Sequence, residues 1–320
     1  MLRSLLISLS RSAQARRLLT GWKLSRRVAL RFVAGDTIQD ALAVVKTLRE
    51  KGIHTTLDQL GEHTTTATEA NRSADGILAT LDEIQKAALP ANVSIKLTQI
   101  GLGLDDQTCR ANLARILERA RKYNNFIRID MEDSPYTDAT LALYVEMLAL
   151  GFGVETVGLV AQAYLYRTEK DVQTLLERSV HFRLVKGAYQ EPSGVAFPKK
   201  TDVDTNYDKL AALLLNASLT HPSQASRDGR IPPIAAIATH DEKRIAFARN
   251  YAQKIGLPKN GLEFQMLYGI RRDLQEALAR DRYPVRVYVP FGPHWYPYFM
   301  RRLAERPANL WFFVSNIFKT

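Results

Sequence analysis

The chain has 320 residues, 44 Lys and Arg against 33 Asp and Glu, a formal charge of +11, and 46% hydrophobic and 24% charged residues. This balance excludes a disordered or collagen-like chain, and no apolar run is long enough to span a bilayer as a helix. The single cysteine, Cys109, excludes an internal disulfide framework and any multi-cysteine metal or iron–sulfur centre.

The charge is concentrated at the start of the chain. Residues 1–35 hold eight cations (Arg3, Arg11, Arg16, Arg17, Lys23, Arg26, Arg27, Arg31) and no acid, which leaves 36 cations against 33 anions, only +3, for residues 36–320. Lys23, Arg27 and Arg31 recur every fourth residue, as do Leu24, Val28 and Phe32, so a helix here carries a basic stripe beside an apolar one. Three readings stay open. The helix lies on an anionic membrane, it packs its apolar stripe on its own protein, or the Arg- and Ser-rich stretch is a transit peptide. No helix-turn-helix, zinc-finger or RNP pattern accompanies the local charge, so nucleic acid is not an expected partner.

From residue 36 onward, short β-rich apolar runs alternate with helical stretches. The runs are 54–57, 93–98, 126–131, 156–160, 182–185, 234–238, 263–266 and 285–289. Helical periodicity, caps and terminating glycines predict helices over 106–123, 137–150, 206–219, 241–255 and 270–280. Eight strands, each followed by a helix, give an α/β chain folded as a (β/α)8 TIM-type barrel with additional N-terminal helices. The competing open doubly wound sheet calls for a glycine-rich phosphate turn after its first strand, and Leu57-Asp58-Gln59-Leu60-Gly61-Glu62 is not one. The expected division is a basic helical segment over 1–50, packing on or near the barrel, and a barrel catalytic domain over 51–320. Residues 190–205 and 221–233 read as irregular, the second as a polar, turn-rich surface insertion. An apolar stretch at 310–318 reads as packing on the barrel or as a second membrane contact.

A barrel of this kind places its active site at the C-terminal strand ends. Lys96 lies at the exit of the second strand, Asp130, Met131, Glu132 and Asp133 at the third, and Gln162 at the fourth. Arg183, Lys186, Gly187, Ala188 and Tyr189 belong to the fifth, Thr239, His240 and Asp241 to the sixth, and Gln265 and Tyr288 to the last two. The helix that follows carries Tyr298, Arg301, Arg302 and Glu305. Lys96 alternates with Val93, Ile95 and Leu97, and Asp130 with Ile127 and Ile129, so each faces away from its apolar neighbours. Convergence of Lys96, Arg183, Lys186, Arg301 and Arg302 around Asp130 makes a cationic pocket, which asks for a carboxylate or phosphate ligand. Each residue also has a plainer reading. An adjacent Arg pair is common on surfaces, Glu305 can pair with either member, and His240 can simply cap the helix that begins at Asp241. The six histidines lack H-x-H or H-E-x-x-H spacing, so no catalytic metal is expected. The residues alone leave open a Schiff-base aldolase or lyase using Lys96 or Lys186 and a non-catalytic anion-binding barrel.

Six segments, in order, resemble proline dehydrogenases: Ser94-Ile95-Lys96-Leu97, Ile129-Asp130-Met131-Glu132-Asp133, Arg183-Leu184-Val185-Lys186-Gly187-Ala188-Tyr189, Ala238-Thr239-His240-Asp241, Glu263-Phe264-Gln265-Met266-Leu267-Tyr268-Gly269, and Tyr288 followed by Tyr298-Phe299-Met300-Arg301-Arg302-Leu303-Ala304-Glu305. The likeness runs from about Phe32 to the C-terminus and is to the short, monofunctional bacterial-type enzymes. It implies bound FAD and oxidation of L-proline to Δ1-pyrroline-5-carboxylate, with electrons passed to a membrane quinone. By the same resemblance Lys96, Arg301 and Arg302 hold the substrate carboxylate, and Tyr288 and Tyr298 pack on the proline ring. Asp130 and Arg183 are the active-site pair, with Arg183 near the flavin N5, and Asp130 orients Lys96 and balances charge. Met131, Gln162, Lys186, Gly187, Ala188, Thr239 and His240 match flavin-binding positions. Tyr298 implies preference for proline over hydroxyproline, and Gln190 departs from the Trp that other branches carry after the tyrosine. The implied location is the cytoplasm, with peripheral association at the inner membrane through the basic N-terminus.

Overall fold

Strand-forming runs and helices alternate through the described residues, and the strands close on themselves. A computed structural model describes residues 29–61, 64–221, 226 and 228–305, apart from the side chains of Arg301, Leu303, Ala304 and Glu305. Most of the basic segment and the 310–318 stretch lie outside the described residues. The strands are β1 His54–Gln59, β2 Ala91–Ile95, β3 Ile127–Ile129, β4 Val157–Gln162, β5 Phe182–Val185, β6 Ala235–Ala238, β7 Leu262–Leu267 and β8 Val285–Phe291. Each pairs in parallel with the next, and β8 returns to β1 to close the barrel. The helices are α1 Ile38–Glu50, α2 Ala67–Ala87, α3 Asp106–Lys122, α4 Thr137–Ala149, α5 Thr168–Leu176, α6 Lys200–Thr220, α7 Glu242–Lys254, α8 Arg272–Arg280 and α9 Trp295–Glu305. The predicted barrel is the observed one. Several boundaries differ: β2 spans Ala91–Ile95 and a 3-10 turn follows over Leu97–Ile100, α2 and α5 occupy stretches for which no helix bounds were predicted, and α6 begins at Lys200, inside the stretch read as irregular, so residues 200–205 are helical.

Local chemistry sets the helix starts. Thr37 and Asp40 form a reciprocal capping box on α1, Thr66 caps α2, and Asp105 accepts two backbone N–H bonds at α3. Alternation along the strands then sorts the side chains. Leu57, Val93, Ile95, Ile127, Ile129, Leu159, Leu184, Ile237, Phe264 and Val287 turn outward into a core shared with Leu81, Ile84, Leu113, Ile116 and Leu214 of the helices. The opposite parity fills the lumen with polar groups instead of the usual branched aliphatics. Asn92, Arg128, Glu263 and Arg286 lie toward the N-terminal strand ends, and Asp58, Ser94, Asp130, Arg183, Gln265 and Tyr288 lie toward the C-terminal ends.

Such groups persist in a core only when paired. Arg286 donates from Nε and Nη2 to the Glu263 carboxylate at 2.8 and 3.0 Å, and both side chains are essentially inaccessible to solvent. Its Nη1 reaches the Thr55 carbonyl at 3.0 Å, and Nη2 also reaches the Gly229 carbonyl at 2.7 Å. Asn92 donates to the Arg230 carbonyl at 2.7 Å. Arg230 in turn donates to Gln85 and to the Tyr123 carbonyl, each at 2.9 Å. The described part of the 221–233 stretch is therefore not a simple surface insertion. Residues 229–230 seal the N-terminal end of the barrel with backbone carbonyls, and that role is invisible in side-chain polarity. Gly229 has φ +70°, and a Cβ there would stand 2.3 Å from the His54 ring.

His181 lies beneath this floor, and burial followed by the nearby Arg128 charge pushes its imidazole down to about 4 from an ordinary 6.5. The unfolded chain therefore takes up this proton near pH 6.5 and the folded chain only near pH 4. Stability from this site is complete above the first value and declines as pH falls toward the second. The loss amounts to about 3 kcal/mol if no other group compensates. Denaturant unfolding of His181→Gln across this range is expected to show a flatter acid limb than the parent. An identical slope would remove His181 from the acid response.

At the other end of the barrel the first described residues pack against the C-terminal strand ends. Ala29, Phe32 and Val33 form a second apolar cluster with Leu60, Ile270, Trp295, Phe299 and Met300. Gly269, at φ +77°, passes so close to Arg31 that a Cβ would fall 1.8 Å from its carbonyl oxygen. α1, which carries little net charge, gives Ala41, Leu42, Val45 and Leu48 to the main core. Of the two predicted stripes only Arg31 and Phe32 are described, so the membrane reading of residues 1–28 lies outside the described residues.

Candidate active site

The C-terminal strand ends surround a cavity of about 530 Å³, a size suited to a small substrate beside a cofactor ring. Lys96, Asp130, Arg183, Tyr288, Tyr298 and Arg302 line it. Met131, Gln162, Lys186, Gly187, Ala188, Thr239 and His240 line it as well. Every predicted site residue is thus brought to one cavity except Arg301, whose side chain lies outside the described residues. α9 points Arg302 inward, 8% exposed, with its guanidinium carbon 5.1 Å from the centre of the Tyr298 ring.

Asp130 is the hub. Its Oδ1 accepts from Ser94 Oγ and Arg183 Nη1, each at 2.8 Å, and its Oδ2 accepts from the Tyr288 hydroxyl at 2.8 Å. Lys96 Nζ stands 3.6 Å from Oδ2. Burial alone would raise the Asp130 carboxyl, but Lys96 and Arg183 outweigh it and hold the group below its ordinary range. The Tyr288 phenol moves the other way, well above its ordinary value through burial and the Asp130 charge, and stays a donor. Arg183 is held along its length: Nε donates to Gln265 Oε1 at 2.6 Å, Nη1 also reaches Ser94 Oγ at 3.1 Å, and the guanidinium lies 5.2 Å from the Tyr288 ring centre.

Several of the cations that the sequence gathered into this pocket are held by carboxylates. Lys96 donates to both oxygens of Asp58 at 3.0 Å, a buried carboxylate at the end of β1. Lys186 donates to Asp204 of α6 at 2.5 Å and to Asp241 at 2.7 Å. Asp58 shares the lumen parity of Thr56, the same signal that singled out Lys96, and could have been found by it. Asp204 comes from a helix predicted to start later, and only the fold brings it to Lys186. This pairing weighs against the Schiff-base class. Burial works against the Lys96 ammonium, yet Asp58 and Asp130 raise its pKa above the ordinary lysine value. A nucleophilic lysine needs the neutral amine.

The remaining lining suits a flat heteroaromatic ring. Met131, Val160, Val185, Met266 and Leu267 supply apolar surface. Gln162, 2% exposed, donates to the Met131 carbonyl at 3.2 Å, while its Oε1 has no hydrogen-bond partner among the described residues. A buried amide oxygen facing the cavity calls for a ligand N–H. His240 does not cap α7, because Asp241 does. Instead its Nε2 accepts the Leu267 backbone N–H at 3.0 Å, which puts the proton of the neutral ring on Nδ1. Gly187, at φ +119°, lets the chain pass Tyr164, whose ring would be 2.4 Å from a Cβ. Glu132, at the exit of β3, turns away to bind Thr98. Among the described residues no group of three or more His, Cys, Asp or Glu has the geometry of a metal site, and no helix is long and apolar enough to cross a membrane.

Comparison with known proteins gives the same direction. The proline dehydrogenase family model matches residues 41–314. Proline dehydrogenase 1 of Bacillus subtilis is 40% identical over 296 residues, covering 92% of each chain. The Deinococcus radiodurans proline dehydrogenase is 40% identical over 301 residues, 93% of this chain and 91% of that one. Among solved structures, proline utilization A (PutA) from Bdellovibrio bacteriovorus, inactivated by N-propargylglycine, superposes with a TM-score of 0.79 at 27% identity. That match covers 88% of this chain and 33% of the larger protein.

Proposed function

The chain belongs to the proline dehydrogenase family, and from that premise we propose that its cavity binds FAD beside L-proline and oxidises the ring C–N bond to the imine of Δ1-pyrroline-5-carboxylate. The observation that carries this reading is the convergence of Lys96, Asp130, Arg183, Tyr288, Tyr298 and Arg302 on one cavity. Its apolar wall and the buried Gln162 acceptor fit a flavin ring.

In this reading Arg302 and Lys96 bind the proline carboxylate, with Arg301 as a further cation on the same helix. Tyr288 and Tyr298 pack on the ring, and Tyr298 favours proline over hydroxyproline. Met131, Gln162, Lys186, Gly187, Ala188, Thr239 and His240 hold the flavin, Gln162 as an acceptor and His240 as a donor from Nδ1. When bound, FAD supplies the two-electron acceptor for the substrate hydride and the donor to a membrane quinone. Arg183 places positive charge where negative charge develops. Asp130 is no base for the substrate amine, since both its oxygens already accept strong donors. The amine instead loses its proton to water. Fixing the carboxylate and the ring together supplies catalysis by orientation.

The basic N-terminal segment is the proposed contact with an anionic membrane face, where a quinone resides, and makes the enzyme a peripheral protein of the cytoplasmic side of the inner membrane. Purified protein is expected to reduce a soluble quinone analogue in the presence of L-proline, with the pyrroline product trapped by an aminobenzaldehyde. Proline turnover without quinone reduction would remove the quinone assignment. Protein truncated before Phe32 that still sediments fully with anionic vesicles would remove the membrane one.

A further inference from the structure

Arg183 is a long side chain that must hold one orientation across a barrel lumen. Its anchor runs through Gln265, at the cavity wall, to Glu263, which lies below the cavity and is not among its lining residues. β6 contributes only Ala236 at the level of Arg183, so the guanidinium passes over β6 to β7. There Nε meets Gln265 Oε1 at 2.6 Å. The same amide donates from Nε2 to Glu263 Oε1 at 2.6 Å, two residues back on the lumen face of β7. Glu263 is in turn clamped by Arg286, its counterion at the barrel floor.

The order of this chain is forced by chemistry. An ionised carboxylate only accepts, and a guanidinium only donates. An amide between them has one workable orientation, NH₂ toward Glu263 and oxygen toward Arg183. The reversed amide sets oxygen against carboxylate and N–H against N–H. Glu263 stays ionised because, although burial raises its carboxyl, Arg286 and His54 hold it down to about 2. We propose that Gln265 and Glu263 are positioning residues for Arg183: the fixed charge of Glu263 sets the Gln265 amide, and that amide fixes the guanidinium that faces Asp130 and the reacting centre.

The inference rests on the flavin reading of the cavity, and the test separates the two. Gln265→Met keeps length and bulk but has no oxygen to accept the Arg183 N–H. In the flavin-loaded enzyme, Gln265→Met is expected to lower kcat by about tenfold or more with KM for proline within about threefold, since the carboxylate-binding cations are untouched. The midpoint potential of the bound flavin, measured without substrate, is expected to become more negative as the cation loses its place. Should Gln265→Met not fold, Glu263→Gln combined with Arg286→Met is read in the same way, because a neutral amide no longer dictates the Gln265 orientation and no buried cation is left without a counterion, and an intermediate loss is expected. Parent kinetics and parent potential in the variant that folds would overturn the proposal. So would a raised KM with unchanged kcat, which marks a substrate-binding role. Failure of the parent protein to bind flavin would instead fail the reading beneath it.

Discussion

Asp130→Ala is expected to lower kcat/KM for proline by about 10²–10³-fold, the size of effect seen when a preorganised polar contact is lost or reacting groups shift by an ångström. The carboxylate holds Arg183, Ser94 and Tyr288 by direct hydrogen bonds and stands 3.6 Å from Lys96. Alanine removes all four relations at once and leaves Arg183 buried beside other cations. Lys96 keeps Asp58, so proline binding should suffer less than turnover, and the loss should fall mainly on kcat. Asp130→Asn, which keeps the shape and one acceptor, should lie between alanine and the parent. Steady-state kinetics with flavin content checked for each variant decides this. Unchanged turnover in Asp130→Ala would end its role as the hub.

Glu263→Leu is expected to destabilise the fold by about 3–5 kcal/mol, because Arg286 then remains in the core as an uncompensated charge. The two side chains are 1% and 0% exposed, so water cannot replace the lost partner. Adding Arg286→Met should recover more than half of that loss, since apolar replacement of a whole buried pair is often tolerated. Recovery should be incomplete, for the Thr55 and Gly229 carbonyls would lose their donor. The same carboxylate shapes the acid limb. Its folded pKa of about 2 lies below the ordinary 4.5, so its contribution is complete above 4.5 and is lost as pH falls toward 2. Chemical unfolding of the parent, the single and the double variant measures these terms. A single variant as stable as the parent would show that the pair does not hold the barrel floor.

The barrel was legible because its evidence is local. Apolar runs of strand length alternate with capped helical periods, and neither depends on distant partners. Parity within a run such as Val93-Ser94-Ile95-Lys96 also indicated which side chains leave the apolar face, and Lys96 and Asp130 both reach the lumen end. What parity does not carry is partnership. Asp58, Asp204 and Asp241 neutralise Lys96 and Lys186 across sequence gaps of 38, 18 and 55 residues. Three of the cations gathered from the sequence, Lys96, Arg183 and Lys186, are therefore members of ion pairs. The 221–233 stretch misled for a different reason. Its contribution to the barrel floor is made by the Gly229 and Arg230 carbonyls, and backbone groups leave no mark in composition. The resemblance to proline dehydrogenases drew on the order of six short segments, none of which is specific by itself.

The central claim is that one cavity brings proline and a flavin together for hydride transfer. An anaerobic titration of the purified, flavin-loaded protein with L-proline, followed by absorbance, tests it most directly. The account predicts loss of the oxidised-flavin band on adding proline, with the pyrroline product formed in step, and little response from Asp130→Ala on the same timescale. A flavin spectrum unmoved by saturating proline, or a proline adduct trapped on lysine by borohydride, would contradict it.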